Sequence, residues 1–254
     1  MNEALANQAR SYSAPADLLR DKIIMVTGAG DGIGKTAALT FAAHGARVIL
    51  LGRTQIKLEV VYDEIIAAGG ERPSIAVLDF RTAQADDYEN LANSIKEEFG
   101  HLDGLLHNAG ILGHKMMIEQ YPVGTFMEVM HVNVNAAFVL TRVLLPLLKE
   151  SDSGSVVFTS SGVGRKGRAY WGAYAVSKFA TEGLMETLAD EQGENSNLRA
   201  NCLNPGATRT NMRAAAYPGE DPNSLPTPED IMPTYLFLMG DDSKAVNGES
   251  LNCQ

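Results

Sequence analysis

The chain of 254 residues contains only two cysteines, Cys202 and Cys253. Two cannot build a disulfide framework, and Cys202 lies in an apolar stretch, as a small core residue would. Basic residues are also scarce: 21 Lys and Arg stand against 31 Asp and Glu, a formal net charge of -10. A surface of that sign repels a phosphate backbone. No local basic stripe offsets it, so nucleic acid is not an expected partner. Long unbroken apolar runs are missing as well. The longest apolar segment, 132–148, is interrupted by Asn133, Asn135, Thr141 and Arg142, which argues against a membrane span. The opening Met1-Asn2-Glu3-Ala4 carries an early acid and no apolar run of signal-peptide length. A soluble, cytoplasmic protein is expected, with neither membrane nor metal as a partner. Neither a Ser/Gly/Pro-rich linker nor an internal repeat divides the chain. The expected organisation is a small, polar, loosely packed N-terminal arm over 1–20 and one domain over 21–254.

What is present is an alternation. Short apolar runs at 23–26, 48–51, 75–78, 102–106, 156–158 and 199–203 suit strands buried on both faces. Between them, segments near 34–45, 55–68, 84–99, 123–150 and 172–192 have helical spacing. Strand–helix alternation implies parallel strands joined by crossovers, hence an α/β fold with a doubly wound parallel sheet of six or seven strands and helices on both faces. The stretch 206–227 breaks the pattern with three prolines and reads as a long loop or lid.

The first strand runs directly into Thr27-Gly28-Ala29-Gly30-Asp31-Gly32-Ile33-Gly34, and a helix follows. Glycines at such a point make the tight turn, admit a pyrophosphate to the backbone and let helix and strand pack closely. The helix N-terminus then offers free N–H groups to phosphate. A competing pattern overlaps it. Ala29 to Thr36, ending Gly34-Lys35-Thr36, fits a relaxed triphosphate-binding loop, which would make the protein a P-loop nucleotide triphosphatase. The strict form of that loop needs glycine where Ala29 stands.

Further along come Asn108-Ala109-Gly110 after the fourth strand, Ser161 thirteen positions before Tyr174, Tyr174-x-x-x-Lys178, and Asn204-Pro205-Gly206 after the sixth strand. With the glycine turn, these motifs resemble the short-chain dehydrogenase/reductase family in identity, order and spacing, over roughly residues 20–252. Leu50-Leu51-Gly52-Arg53, Trp171-Gly172-Ala173-Tyr174 and 238–243 resemble more narrowly the YciK-type oxidoreductases of gamma-proteobacteria. The resemblance implies a Rossmann-like domain, a homodimer or homotetramer, and hydride transfer between NAD(P)(H) and a small carbonyl or alcohol substrate. It implies Asn133, Ser161, Tyr174 and Lys178 as the catalytic set, with Asn133 holding a water next to the lysine. Cofactor contacts are implied from Gly28, Asp31, Gly32, Ile33, Arg53, Asp79, Asn108, Ala109, Gly110, Tyr174, Lys178, Pro205 and Gly206, with Asp79 placed to meet the adenine.

The chemistry of these residue types points the same way. A carbonyl accepting hydride needs a proton for the forming alkoxide, and the reverse reaction needs a base. A free tyrosine, with a pKa of about 10, lies roughly 4 kcal/mol from ionisation at pH 7. An ammonium about 5 Å away, at an effective dielectric near 20, supplies on the order of 3 kcal/mol. Tyr174 and Lys178 are four apart on a helical segment and therefore share a face. Ser161 follows an apolar strand at its carboxyl end, where its hydroxyl can stabilise a developing oxyanion. His107 and His131 lack a suggested partner and are expected to be structural.

An NAD site wants a carboxylate at the end of the second strand, whereas an NADP site wants an arginine near the 2′-phosphate. Here stand Gly52 and Arg53, so NADP is expected over NAD. Arg165, Lys166 and Arg168, with Tyr170 and Trp171, fit either a mouth for an anionic or aromatic ketone or a solvated loop with an interface aromatic. A silent NADP-binding regulator on the same fold is the alternative function, although such a sensor has no need of the four catalytic groups together.

Overall fold

The computed structural model describes residues 3–193 and 196–254; Met1, Asn2, Glu194 and Asn195 lie outside the described residues. After helix α1 (Glu3–Arg10), strands β1 (Ile23–Thr27), β2 (Arg47–Gly52) and β3 (Ser74–Val77) alternate with α2 (Gly32–Ala43) and α3 (Gln55–Ala67). Helix α4 (Ala85–Phe99) leads to β4 (Gly104–His107). Helix α5 (Val123–Met130), a π turn (His131–Asn135) and α6 (Ala136–Lys149) run on without a break to β5 (Gly154–Thr159). The last third comprises α7 (Gly172–Gln192), β6 (Leu198–Asn204), α8 (Asn211–Ala216), α9 (Met232–Met239) and β7 (Ser250–Asn252).

The seven strands form one sheet in the order β3-β2-β1-β4-β5-β6-β7, and every pairing is parallel. This is the doubly wound, Rossmann-like architecture expected from the alternating pattern. Period-two alternation distributes each strand between the two faces. In β1, Ile24 and Val26 join Phe41 of α2, Leu58 and Val61 of α3 and Tyr235 of α9 in one core. Ile23 and Met25 join Tyr88 of α4, Leu140 and Leu144 of α6 and Met185 of α7 in the other. Strands buried on both sides need apolar residues at every position, and β1 is buried throughout.

Local chemistry sets the element ends. Asp87 accepts from the N–H of Gln84 at the start of α4 (2.8 Å), and Gly100 closes that helix at φ 78°, a conformation glycine adopts without strain. Pro233 occupies the first turn of α9, where its missing N–H is harmless. The three-residue β7 has no apolar run to announce it, and it forms because β6 offers an open edge.

Two expectations change. The segment ahead of β1 is not loose: α1 packs on α9 and β7, and Ala6, Ala9 and Leu19 are fully buried. Its small residues are what allow that close approach. The stretch 206–227 is partly helical, with α8 started by Thr210, whose hydroxyl accepts from the N–H of Arg213. The segment Val123–Lys149 is long and apolar enough to cross a membrane by length and composition, yet half of its most apolar stretch is buried inside the fold. It is a core element here. Both cysteines are buried and free.

Candidate active site

Between β1 and β4 the sheet order reverses, and the cleft that binds ligands in such sheets opens at the carboxyl ends of the strands there. A single cavity of about 430 Å³ occupies this place, within the size range of small-molecule sites. It brings together Gly28, Asp31, Gly32, Ile33, Arg53, Asp79, Asn108, Ala109, Gly110, Ser161, Tyr174, Lys178, Pro205 and Gly206. Asn133 alone among the sequence-derived candidates does not line it.

The glycine turn is built for close approach. Gly28 has φ 69°, and a Cβ there would stand 3.0 Å from the Cα of Ala109. A Cβ on Gly34 would meet the carbonyl oxygen of Gly28 at 2.3 Å, so α2 can pack on the turn only without a side chain. Asp31 does not cap α2; its carboxylate pairs with Lys57 at 2.7 Å. Asp31 thus makes no N-cap hydrogen bond to α2, and the start of that helix lines the cleft through Gly32 and Ile33, as a phosphate site requires. Lys35 pairs instead with Glu64 of α3 at 2.7 Å and is absent from the cavity wall. A triphosphate cradle would need that lysine turned inward.

The next motif is pinned to β1. The Thr27 hydroxyl accepts from the N–H groups of Asn108 and Ala109, both at 3.0 Å, and donates to the carbonyl of Leu106. At the end of β2, Arg53 is exposed on the cavity wall, and no carboxylate pairs with it among the described residues. Nothing acidic stands at Gly52.

Tyr174 and Lys178 lie one turn apart on α7. Lys178 Nζ donates to the carbonyl of Thr159 at 2.7 Å and sits 5.6 Å from the centre of the Tyr174 ring. Burial pushes the Tyr174 phenol up to about 12, with a hydrogen bond to Ser161 pulling the other way. Burial likewise holds the Lys178 ammonium down to about 8, opposed by negative neighbours. Burial thus outweighs the hydrogen bond to Ser161, and the protein alone holds the Tyr174 phenol protonated at neutral pH.

Asn133, in the π turn, is buried. Its amide donates to the carbonyl of Ile111 and the hydroxyl of Ser177, both at 3.0 Å, and its oxygen accepts from the N–H of Ile111 at 2.8 Å. The side chain therefore fixes the backbone that follows Gly110, beneath the cavity wall. His107 stacks on Phe158 at 4.7 Å and contacts Thr141 at 2.8 Å; burial holds it down to about 3, so it is a neutral core residue. His131 lies on the same π turn.

Arg165 departs from the mouth imagined for it. Its guanidinium turns inward to Ser250, Asn252 and the carbonyl of Leu251. Lys166, Arg168 and Tyr170 remain exposed, and Trp171 forms the wall beside Tyr174, 5.7 Å between ring centres. The sequence reading missed the rest of that wall: Ile111, Leu112, Met212 and Ala216 complete an apolar chamber with Trp171. The Arg213 and Lys115 cations nearby are engaged. Arg213 forms a two-pronged pair with Glu220, both contacts at 2.6 Å, and Lys115 donates to the carbonyl of Ala216 while lying 4.0 Å over the Tyr217 ring. Only contacts across the fold reveal these residues, since nothing in their local sequence spacing points to them.

Comparison with known proteins identifies oxidoreductases as relatives of this chain. The YciK oxidoreductase of Escherichia coli K12 is 54% identical over 243 residues, 96% of each chain. A 3alpha-hydroxysteroid dehydrogenase of Mediterraneibacter gnavus is 33% identical over 249 residues, 92% of this chain and 96% of that one. A short-chain dehydrogenase of Escherichia coli CFT073, crystallised with NADPH, superposes with a TM-score of 0.93 at 54% identity, covering 95% of this chain and 100% of its own. The short chain dehydrogenase family model matches residues 22–221, and with these likenesses the chain belongs to the short-chain dehydrogenase/reductase family of oxidoreductases.

Proposed function

We propose that the protein catalyses reversible NADP(H)-dependent interconversion of an apolar ketone and its secondary alcohol, in the cytoplasm, with residues 21–254 acting as one domain and α1 docked on it. The observation that carries this reading is the convergence of Arg53, Ser161, Tyr174 and Lys178 on one cleft whose inner chamber is apolar. Bound NADP(H) would supply or accept the hydride. The uncapped start of α2 and the Gly28 turn fit its pyrophosphate, Arg53 fits the 2′-phosphate, and Asp79 fits the adenine. Lys178 would hold the nicotinamide ribose, with Asn108, Ala109, Gly110, Pro205 and Gly206 forming the surrounding wall.

In the reductive direction Tyr174 donates its phenolic proton to the forming alkoxide, and Ser161 hydrogen-bonds the same oxygen. Lys178, while charged, stabilises the phenolate left behind. Asn133 acts indirectly, by fixing Ile111. Both of its N–H groups are engaged, so neither is a donor to a water beside Lys178. Arg213 and Lys115, the cations beside the apolar wall among the described residues, are both engaged, which favours a neutral substrate. The hydroxysteroid dehydrogenase relative supports an alicyclic one. A panel of alicyclic, aromatic and charged ketones, aldehydes and alcohols, followed by NADPH absorbance, tests the class. No turnover of any neutral ketone would leave the silent regulator as the better account.

Arg53 determines the cofactor in this reading. A planar, charge-assisted contact to the 2′-phosphate is worth roughly 1.5–3 kcal/mol, so NADPH should bind about ten- to a hundredfold more tightly than NADH. Arg53→Ala is expected to erase most of that difference by weakening NADPH while scarcely changing NADH. Calorimetric titration of both cofactors checks it, and equal affinities in the wild type would remove Arg53 from the site.

Apolar side chains on three adjoining helices support a homodimer or homotetramer. Val123 and Met127 of α5, Phe138 of α6 and Val176 and Phe179 of α7 are 77%, 63%, 51%, 44% and 46% exposed. Such a patch suits a second copy across a two-fold axis. Light scattering should find a dimer or tetramer for the wild type and a smaller species for Phe179→Glu. A monomeric wild type would refute the assembly.

A further inference from the structure

One buried carboxylate takes no part in the chemistry described above. Glu182 lies one turn beyond Lys178 on the inward face of α7 and is buried. Three elements converge on it. Ser160, at the end of β5, donates to Oε1. Ser250 of β7 donates to Oε2 at 2.5 Å, and Arg165 Nε stands 3.4 Å from Oε1. A carboxylate removed from water and bound at both oxygens is a group whose charge the fold maintains at a cost.

Its position explains the cost. Lys178 is also buried, and an isolated ammonium in that setting tends to lose its proton. The groups facing it can be assigned in turn. Tyr174, on the same helix, is a neutral phenol below pH 12. His107 of β4 is neutral at any pH above about 3. The Cys202 thiol of β6 is pushed up by burial and by Glu182 itself and stays protonated. Tyr235 of α9 is pushed up by burial and stays neutral as well. Arg165 is positive but leans on Glu182. Cys202 and Glu182 are the groups that favour its charged form, and with the thiol protonated Glu182 is, among these described neighbours, the one that carries a negative charge.

We propose that Glu182 is a positioning residue for the active site: held by Ser160, Ser250 and Arg165, its carboxylate keeps Lys178 charged and fixes the end of β5 that carries Ser161. This rests on the catalytic role given to Lys178 above, but its direct test does not. Removal of the opposing charge lowers the proton affinity of Lys178, so the lysine should titrate nearer neutrality. The alkaline loss of ketone reduction should move with it.

The experiment follows Lys178 directly, in protein labelled with 13C at the lysine ε carbons, with the resonance assigned by its absence in Lys178→Met. Glu182→Gln should lower the Lys178 midpoint by about one pH unit or more, since one unit is about 1.4 kcal/mol and a nearby buried charge supplies at least that. Glu182→Asp should restore most of it. Arg165→Gln, which frees the carboxylate from its positive neighbour, should raise the midpoint. A merely structural glutamate would change the melting temperature and leave the midpoint in place. A Glu182→Gln midpoint equal to wild type overturns the proposal. If that variant does not fold, the Arg165→Gln arm decides: a raised midpoint supports the proposal and an unmoved one overturns it. Because the titration needs no turnover, its failure is separate from any failure of Tyr174→Phe to abolish activity.

Discussion

Tyr174→Phe is expected to lower turnover of the best ketone in the panel by about 10³-fold or more, while NADPH affinity stays within about twofold of wild type. General acid–base groups contribute roughly 10²- to 10⁴-fold, and the loss of the phenol removes the acid assigned to the substrate oxygen. Its neighbours on the chamber side are Trp171 and Ser161, and a serine hydroxyl is too weak an acid to protonate an alkoxide by itself. The phenol meets substrate, so its loss should leave cofactor binding alone. Steady-state rates, paired with a fluorescence titration of NADPH, separate the two effects. Activity within about tenfold of wild type, a barrier change below ~1.4 kcal/mol, would end the assignment of Tyr174 as the acid.

Lys178→Met should differ in kind. Turnover is expected to fall by about 10²-fold or more, and NADPH affinity should fall with it, because the lysine is given both a ribose contact and an electrostatic role. Loss of turnover with unchanged NADPH binding would leave the ribose contact without support. The same lysine predicts the pH behaviour of the intact enzyme. Burial lowers its proton affinity to a midpoint of about 8, so it is charged below that pH and neutral above it. Ketone reduction should therefore hold steady through neutrality and decline as pH rises past about 8. Tyr174, held near 12, stays a protonated acid throughout that range. Rates measured from pH 6 to 10 check the sign. A rise in ketone reduction across pH 8 would contradict it.

Much of this was legible in the chain itself. Six of the seven strands announced themselves as apolar runs, because a parallel sheet covered on both faces demands them. Position β7 did not, being three residues long with one apolar side chain. The cofactor-side residues were legible because their geometry is local: a turn, a helix start, a strand end. Asn133 was legible by motif, yet its contacts were not, since its hydrogen bonds reach Ile111 and Ser177, distant in sequence. The inward turn of Arg165 was hidden for the same reason. Its partners stand on β7, at the far end of the chain. A basic residue in a glycine-rich turn reads as solvated until the strand that receives it is placed. Glu182 carried a faint signal, its four-residue offset from Lys178, but the offset alone does not separate a buried pair from a surface one.

The π turn at His131–Asn135 has a consequence for how this enzyme can change over time. A π turn is an α-helix with one residue too many, and each helical residue advances the side chains by about 100°. Deletion of one residue there would give an ordinary helix. It would also rotate the whole of α6 against α5, carrying Leu140 and Leu144 out of the core in which they are now wholly buried. Asn133 would lose its hold on Ile111 in the same stroke. The surplus residue therefore sets the phase between two things that could otherwise drift apart: the outward face bearing Phe138 and the floor of the active site. Loops around the cleft can gain or lose residues and merely change length. Here a single-residue change in either direction would put the two halves of the helix out of step.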